Sequence, residues 1–261
     1  MVEPGTPPLA NPLVPAPNPP LQPPPNPPPT VAITGASGAL GQALLRQWHR
    51  RGAQLIAICS GDSPLVLHDA SGAPIPLRQV RWLLGAEAEL AELLAEIDLL
   101  VLNHGVNVHR QRSRAATELS LEVNALSSWR LLELFAQQSA GRPAQRRRPE
   151  VWVNTSEAEI EPAFSPLYEI SKRLLGQLLS LRALDLGRQL CIRRLVLGPF
   201  RSALNPVGLM DADFVAGQIL FQASLGLKLI LVSPNPLVYG LMPLTLLSRW
   251  LYARLLTGPN G

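Results

Sequence analysis

The chain has 261 residues, 47% of them hydrophobic and 16% charged, enough apolar material to bury the core of one large domain and too much for a disordered protein. Its formal net charge of +4 comes almost wholly from arginine, because Lys172 and Lys228 are the only lysines among 23 basic residues, and no nucleic-acid partner is expected. The two cysteines, Cys59 and Cys191, each sit in an apolar run. This excludes a disulfide framework or a cysteine metal site and points to a reducing, cytoplasmic compartment.

Residues 1–30 contain 14 of the 27 prolines and neither a long apolar stretch nor a basic leader, which excludes a standard signal peptide. Residues 1–29 read as a disordered, polyproline-II-like tail, a spacer or else a ligand for a proline-binding partner. The folded domain then runs from 30 to 261. TVAIT, 30–34, is a β-branched strand that enters GASGALG, and the helical spacing of Ala43, Leu44, Leu45 and Trp48 follows, stopped by Gly52. A second strand, QLIAICS, covers 54–60 and a weaker third, LRQVRWL, 77–83. An amphipathic helix spans 87–97, and DLLVLNHG supplies a fourth strand ending at Asn103. A helix over 118–138, a fifth strand EVWVNTS, a long helix from Tyr168 to a stop at Gly187 and a sixth strand, QLCIRRLVLGP, complete the alternation. Strands alternating with helices predict a mostly parallel sheet covered on both faces.

Arginines cluster at Arg110, Arg112, Arg114 and at Arg142, Arg146, Arg147, Arg148. Both clusters read as solvated loops, with a docking patch for an anionic surface as the alternative. From residue 229 to 248 no side chain is charged, and RWLYARLL follows with Trp250 and Tyr252 between Arg249 and Arg254. Pro234, Pro236 and Pro243 are expected to break this segment, which argues against a membrane-spanning helix. The expected structure is a seventh strand, LILV, then a loop and a helix packed on the core or on a second subunit of a homo-oligomer. An interfacial helix that brings the site to a lipid-soluble substrate is the alternative.

Ligands of such sheets bind beyond the carboxyl ends of the strands, where strand order reverses. After the first strand, Gly35, Gly38 and Gly41 allow a tight turn and leave the first amides of the next helix aimed at a pyrophosphate, with Thr34, Ser37, Ala39 and Leu40 completing the loop. G-x-S-x-G would need glycine at 39, where Ala39 stands, so this is no nucleophile elbow. Tyr168 and Lys172, four apart, lie on one helix face and can point into the crevice together. A phenol is a poor acid or base at neutral pH, but an adjacent ammonium and an oxidised nicotinamide favour the phenolate and lower its pKa. Ser156, at the end of the fifth strand, can hydrogen-bond a substrate carbonyl oxygen, with Thr155 as its rival. Asn124 can hold a water that links Lys172 to solvent, or else simply tie its helix to a neighbour. Asn103 and Gly105 close the fourth strand where the adenosine half of a cofactor would lie.

Through TGASGALG, LNHG, the helix Asn124, VNTS and YEISK, in that order, residues 30–239 resemble the short-chain dehydrogenase/reductase family. The resemblance implies a Rossmann-type sheet of about seven strands, NAD(P)(H) binding, hydride transfer between nicotinamide and a carbonyl or alcohol carbon, and a tetrad of Asn124, Ser156, Tyr168 and Lys172. It also implies that Gly198 and Pro199, an inverted form of the family's Pro-Gly pair, line the nicotinamide pocket. Three departures stand out. The glycine spacing is nearer to the family's longer sugar-nucleotide branch, although the remaining length is short for that branch's added domain. LNHG puts His104 where alanine is usual, and the gap from Ser156 to Tyr168 is one residue short. Ser60 at the end of the second strand, with Arg51 taken to be nearby, favours NADP(H) slightly over NAD(H). The expected activity is oxidoreduction of a small carbonyl or alcohol substrate. A nucleotide-binding regulator without turnover and a sugar-nucleotide epimerase or dehydratase are the alternatives.

Overall fold

Short apolar runs, too short for a helix, form six strands, and the polar RQVR forms a seventh at the sheet edge: β1 (Thr30–Thr34), β2 (Gln54–Cys59), β3 (Arg78–Arg81), β4 (Leu99–Leu102), β5 (Glu150–Ser156), β6 (Cys191–Leu197) and β7 (Leu229–Val232). All pair in parallel in one sheet of order β3-β2-β1-β4-β5-β6-β7. Between them lie α1 (Ala39–His49), α2 (Ala91–Glu96), α3 (Arg114–Leu121), α4 (Ser127–Ser139), α5 (Pro166–Leu186), α6 (Ala212–Ser224) and α7 (Leu237–Leu256). The computed structural model describes residues 27–143 and 146–258. Most of the proline-rich tail read from the sequence therefore lies outside the described residues.

Alternate side chains of each strand face opposite helical layers, as the strand period requires. Val31 and Ile33 of β1 pack with Leu44 and Leu45 of α1 and with Val215 and Ile219 of α6. Ala32, between them, faces Leu94 of α2, Leu131 and Phe135 of α4 and Leu175 of α5. With both faces covered, β4 is buried at every residue, which is why it reads as an uninterrupted apolar run. A smaller cluster seats α7, placing Val238 and Met242 on Val196 and Leu231. The chain leaves β1 for β2 on one side and returns to β4 on the other. The carboxyl ends of β1 and β4 therefore flank the crevice.

Four elements differ from expectation. The helix expected over 118–138 is interrupted by a π-helical turn, Glu122–Leu126, around Asn124. A helix that was not expected, α6, follows β6, where the Asp211 carboxylate accepts from the amides of Asp213 and Phe214 and caps it. Pro243 lies within α7 instead of ending it. Its missing amide removes one rung, and buried Val238, Met242 and Ala253 hold the helix on both sides of the gap. Most of the second arginine cluster is more than a solvated loop. Arg142 donates to the carbonyls of Leu94, Ala95 and Ile97, Arg146 to Ala95 and Glu96, and Arg148 to Gly187 and Leu190. These guanidiniums close the carboxyl ends of α2 and α5, where orphan carbonyls and the helix dipole attract cations. In the first cluster, Arg114 begins α3 and pairs with Glu118.

Candidate active site

The turn between β1 and α1 is shaped by its glycines. Gly35 has φ +61°, and a Cβ there would stand 2.9 Å from the Cα of His104, so only glycine lets this turn nest against the end of β4. A Cβ on Gly41 would come within 2.4 Å of the Gly35 carbonyl oxygen. Gly38 caps α1, whose amino end has no side-chain cap and no acidic residue in its first turn. Its amides and dipole are thus left for an anion, and the cradle fits a pyrophosphate.

Thr34 joins the two strand ends, its Oγ1 donating to the Val101 carbonyl and accepting the Asn103 amide. His104 Nδ1 lies 2.8 Å from Thr34 Oγ1 and its Nε2 2.8 Å from Ser127 Oγ. Because Thr34 gives its proton to Val101, the imidazole proton is assigned to Nδ1, and Nε2 accepts from Ser127 or Ser128. Burial, then the Lys172 charge, lowers the His104 pKa to about 3, so the ring is neutral. It meets Trp82 edge-on with centroids 5.0 Å apart. His104 thus spends its side chain on a clamp between β1, β4 and α4, and offers the crevice only its backbone.

The tetrad residues predicted from the sequence come together. Lys172 Nζ lies 5.7 Å from the centre of the Tyr168 ring and donates to the Asn154 carbonyl at 2.9 Å. Ser156 closes β5, accepts the Ala158 amide at 3.2 Å and is the hydrogen-bond partner of the Tyr168 phenol. The short Ser-to-Tyr gap therefore does not part them. Thr155 is excluded as a rival, being buried with its hydroxyl on the Leu195 carbonyl. Asn124 Oδ1 accepts the Val106 amide, and its Nδ2 donates to the Val106 carbonyl and to Ser171 Oγ. Both amide hydrogens are committed, so the side chain ties α5 to the loop that follows β4 instead of donating to a water.

The electrostatics correct one expectation. Burial pushes the Tyr168 phenol up, the Ser156 hydrogen bond opposes this, and the Glu157 carboxylate adds to the rise. The acidifying effect expected of the neighbouring ammonium is not among the causes: what opposes burial is the Ser156 hydroxyl, and Lys172 contributes nothing to the shift. Lys172, 4% exposed, is itself lowered to about 8 by burial, with Glu159 pulling the other way.

Residues 31–160 match the NAD dependent epimerase/dehydratase family. The fold is similar to that of an oxidoreductase of the short chain dehydrogenase/reductase family from Burkholderia thailandensis, with a TM-score of 0.65 and 22% identity over 83% of this chain and 98% of that one. It is also similar to a short chain dehydrogenase from Burkholderia cenocepacia solved with NADP, with a TM-score of 0.69 and 18% identity over 88% of this chain and 98% of that one. The chain has the fold of these short-chain dehydrogenase/reductase structures. A curated relative from Synechocystis, monoglucosyldiacylglycerol epimerase, is 46% identical over 228 residues, covering 87% of this chain. The chain spans about half, 54%, of that relative's length.

The sheet is of Rossmann type, and three further features bear on the site. Glu157, which the sequence reading passed over, accepts from Ser233 Oγ at 2.6 Å at the mouth of the crevice, and burial raises its pKa. Gly198 is the backbone that makes room for it, since a Cβ there would lie 2.9 Å from Glu157 Oε2 and 2.8 Å from Pro234. The Pro199 carbonyl accepts the amides of Leu209 and Met210 and folds the following loop back on β6. Gly105 faces Asn124 Oδ1 and Leu204. At the end of β2, Ser60 is exposed, but Arg51 is not its neighbour. Arg51 lies before Gln54, which pairs with Thr30 at the opposite edge of the sheet, and it donates to Gln47 of its own helix. The nearby cation is Arg81, paired in register with Cys59 and held by Asp62 at 2.8 Å. Its signal in the sequence was the weak third strand that it ends.

Proposed function

We propose that this chain is an NAD(P)(H)-dependent enzyme acting at a secondary alcohol carbon, and that the alcohol is a sugar hydroxyl of a glycolipid, which it epimerises. The observation that carries the proposal is the phenol of Tyr168 partnered by the Ser156 hydroxyl, with the Lys172 ammonium 5.7 Å from its ring centre, in a fold that also holds a glycine cradle. The sugar-lipid substrate is supported by the 46% identity to monoglucosyldiacylglycerol epimerase and by the spacing of Gly35, Gly38 and Gly41.

When bound, the nicotinamide of NAD(P) supplies an acceptor and donor of hydride. The chain's residues handle the proton. Ser156 donates a hydrogen bond to the substrate oxygen, and Tyr168 takes the hydroxyl proton as the carbon is oxidised and gives it back as the carbon is reduced. With its pKa raised, Tyr168 rests protonated and gives its proton as an acid; the phenolate this leaves is the base that takes the hydroxyl proton, and the Lys172 ammonium would favour it. Lys172 loses that charge as pH rises through about 8. Asn124 positions this helix face through Ser171. Arg81 and Ser60 are the groups that would receive a ribose 2′-phosphate, and they support a lean toward NADP(H).

Simple oxidoreduction of a carbonyl or alcohol uses the same residues and differs in stoichiometry. Incubating the protein with detergent-dispersed monoglucosyldiacylglycerol and a trace of NAD(P) separates the readings. Epimeric product without net change in nicotinamide absorbance is the expected result. Stoichiometric cofactor conversion would transfer the assignment to a dehydrogenase, and cofactor binding with neither would leave a nucleotide-binding regulator.

A further inference from the structure

Helix α7 buries one narrow stripe, Val238, Met242 and Ala253, with Val238 and Met242 on Val196 and Leu231 of the sheet, and leaves most of its circumference bare. That bare surface is almost wholly leucine and aromatic: Leu237 is 63% exposed, Leu244 64%, Tyr252 68% and Leu255 79%. Soluble surfaces rarely present so large a contiguous apolar area without a partner. From residue 229 onward there is no aspartate or glutamate. Of the two arginines, Arg249 turns inward to Glu159, and Arg254 lies over the Trp250 ring at 5.0 Å.

The apolar surface continues around the mouth of the active site. Phe164, on the loop between Ser156 and Tyr168, is fully exposed, and Val207 and Leu209 on the loop after β6 are 85% and 72% exposed. That loop crosses the crevice, because the Leu204 carbonyl accepts from Asn107 beyond β4. The first turn of α7 is anchored at the same place: Tyr239 donates to the Ser233 carbonyl, and the Ser233 hydroxyl donates to Glu157, next in sequence to Ser156. No helix among the described residues is long and apolar enough to cross a membrane.

We infer that α7 and the two mouth loops seat this protein on the surface of a lipid bilayer, with the crevice opening onto the headgroup layer. The inference rests on the glycolipid reading given above, because a substrate anchored by acyl chains is reached most directly by a site whose rim dips into the membrane. An interfacial helix with an apolar outer face, aromatic residues and arginine but no acidic residue suits that position, anionic lipid included. A second copy of the chain laid over the same surface would cover the mouth that the substrate must enter.

The test is flotation of the full chain with phosphatidylcholine vesicles, with and without an equal part of phosphatidylglycerol. Co-flotation with both is expected, and the paired substitution Leu244→Ser with Leu255→Ser should reduce the bound fraction about tenfold or more while far-ultraviolet circular dichroism stays unchanged. Phe164→Ser with Leu209→Ser should weaken flotation independently. A chain that stays with the soluble fraction overturns the inference. So does a dimer in light scattering that fails to float and is dispersed by the α7 substitutions, since that assigns the face to a second copy. Flotation without turnover of any glycolipid would refute the proposed substrate alone, and turnover of detergent-dispersed glycolipid without flotation would refute only the membrane seating.

Discussion

Substituting Glu159 by glutamine should destabilise the fold more than any other single change of comparable size. Its side chain is 0% exposed, and its Oε2 accepts from Arg194 Nη1 at 2.6 Å and from Arg249 Nη1 at 2.7 Å, while Oε1 has no hydrogen-bond partner. The carboxylate runs across the backbone of α5 at Gly176, where a Cβ would meet it at 1.8 Å. Arg194 and Arg249, 8% and 10% exposed, would lose their shared counter-charge, and breaking a buried pair in this way costs about 3–5 kcal/mol. At about 2–4 °C per kcal/mol for a domain of this size, the melting temperature should fall by about 6–20 °C. Two guanidiniums face one carboxylate, so Arg249→Met leaves a balanced pair and should cost less than about 1 kcal/mol. Urea denaturation followed by far-ultraviolet circular dichroism measures both. Glu159→Gln within about 1 kcal/mol of the parent, or a loss from Arg249→Met as large as that from Glu159→Gln, would refute this account of the network. Because Glu159 holds the Lys172 pKa up, the glutamine variant should also lose activity at a lower pH than the parent.

Three further outcomes are expected. His104 titrates near 6.5 when unfolded and at about 3 when folded, so the unfolded chain binds the proton first and stability should fall as pH drops through this window, by up to about 1.4 kcal/mol per pH unit; His104→Asn should flatten that limb, and an unaltered slope would contradict the assigned burial. Gly41→Ala forces a methyl group into the Gly35 carbonyl oxygen and should cost about 1–3 kcal/mol with a clear loss of nucleotide affinity by calorimetry. Arg81→Ala should weaken NADPH binding about tenfold and leave NADH nearly unchanged; equal losses for both would remove Arg81 from the 2′-phosphate site.

The sheet was readable because β1, β5 and β7 each carry a compact β-branched or apolar run, VAI, VWV and LILV, within Thr30–Thr34, Glu150–Ser156 and Leu229–Val232. Tyr168, Lys172 and Ser156 were readable because strand ends and helix spacing fix where such side chains point. Charge pairing over long sequence distance was not. Glu159 and Arg249 are 90 residues apart, and Arg142 reaches carbonyls 45 to 48 residues away. Arg51 misled for the same reason: closeness to β2 in sequence set it at the wrong edge of the sheet. The sign of the Tyr168 shift was also hidden, because it depends on how deeply the ring is buried and on the Glu157 carboxylate brought near it. Glu157 gave no local signal, since its importance comes from Ser233 and Gly198, both brought to it by the sheet.

The central claim is that Tyr168 moves the proton while its surroundings bind the cofactor. Tyr168→Phe, assayed for single-turnover conversion with NAD(P) and glycolipid beside cofactor affinity by calorimetry, tests it most directly. The account predicts parental affinity with turnover reduced about a hundredfold or more. Turnover within about tenfold of the parent at equal cofactor occupancy would contradict it.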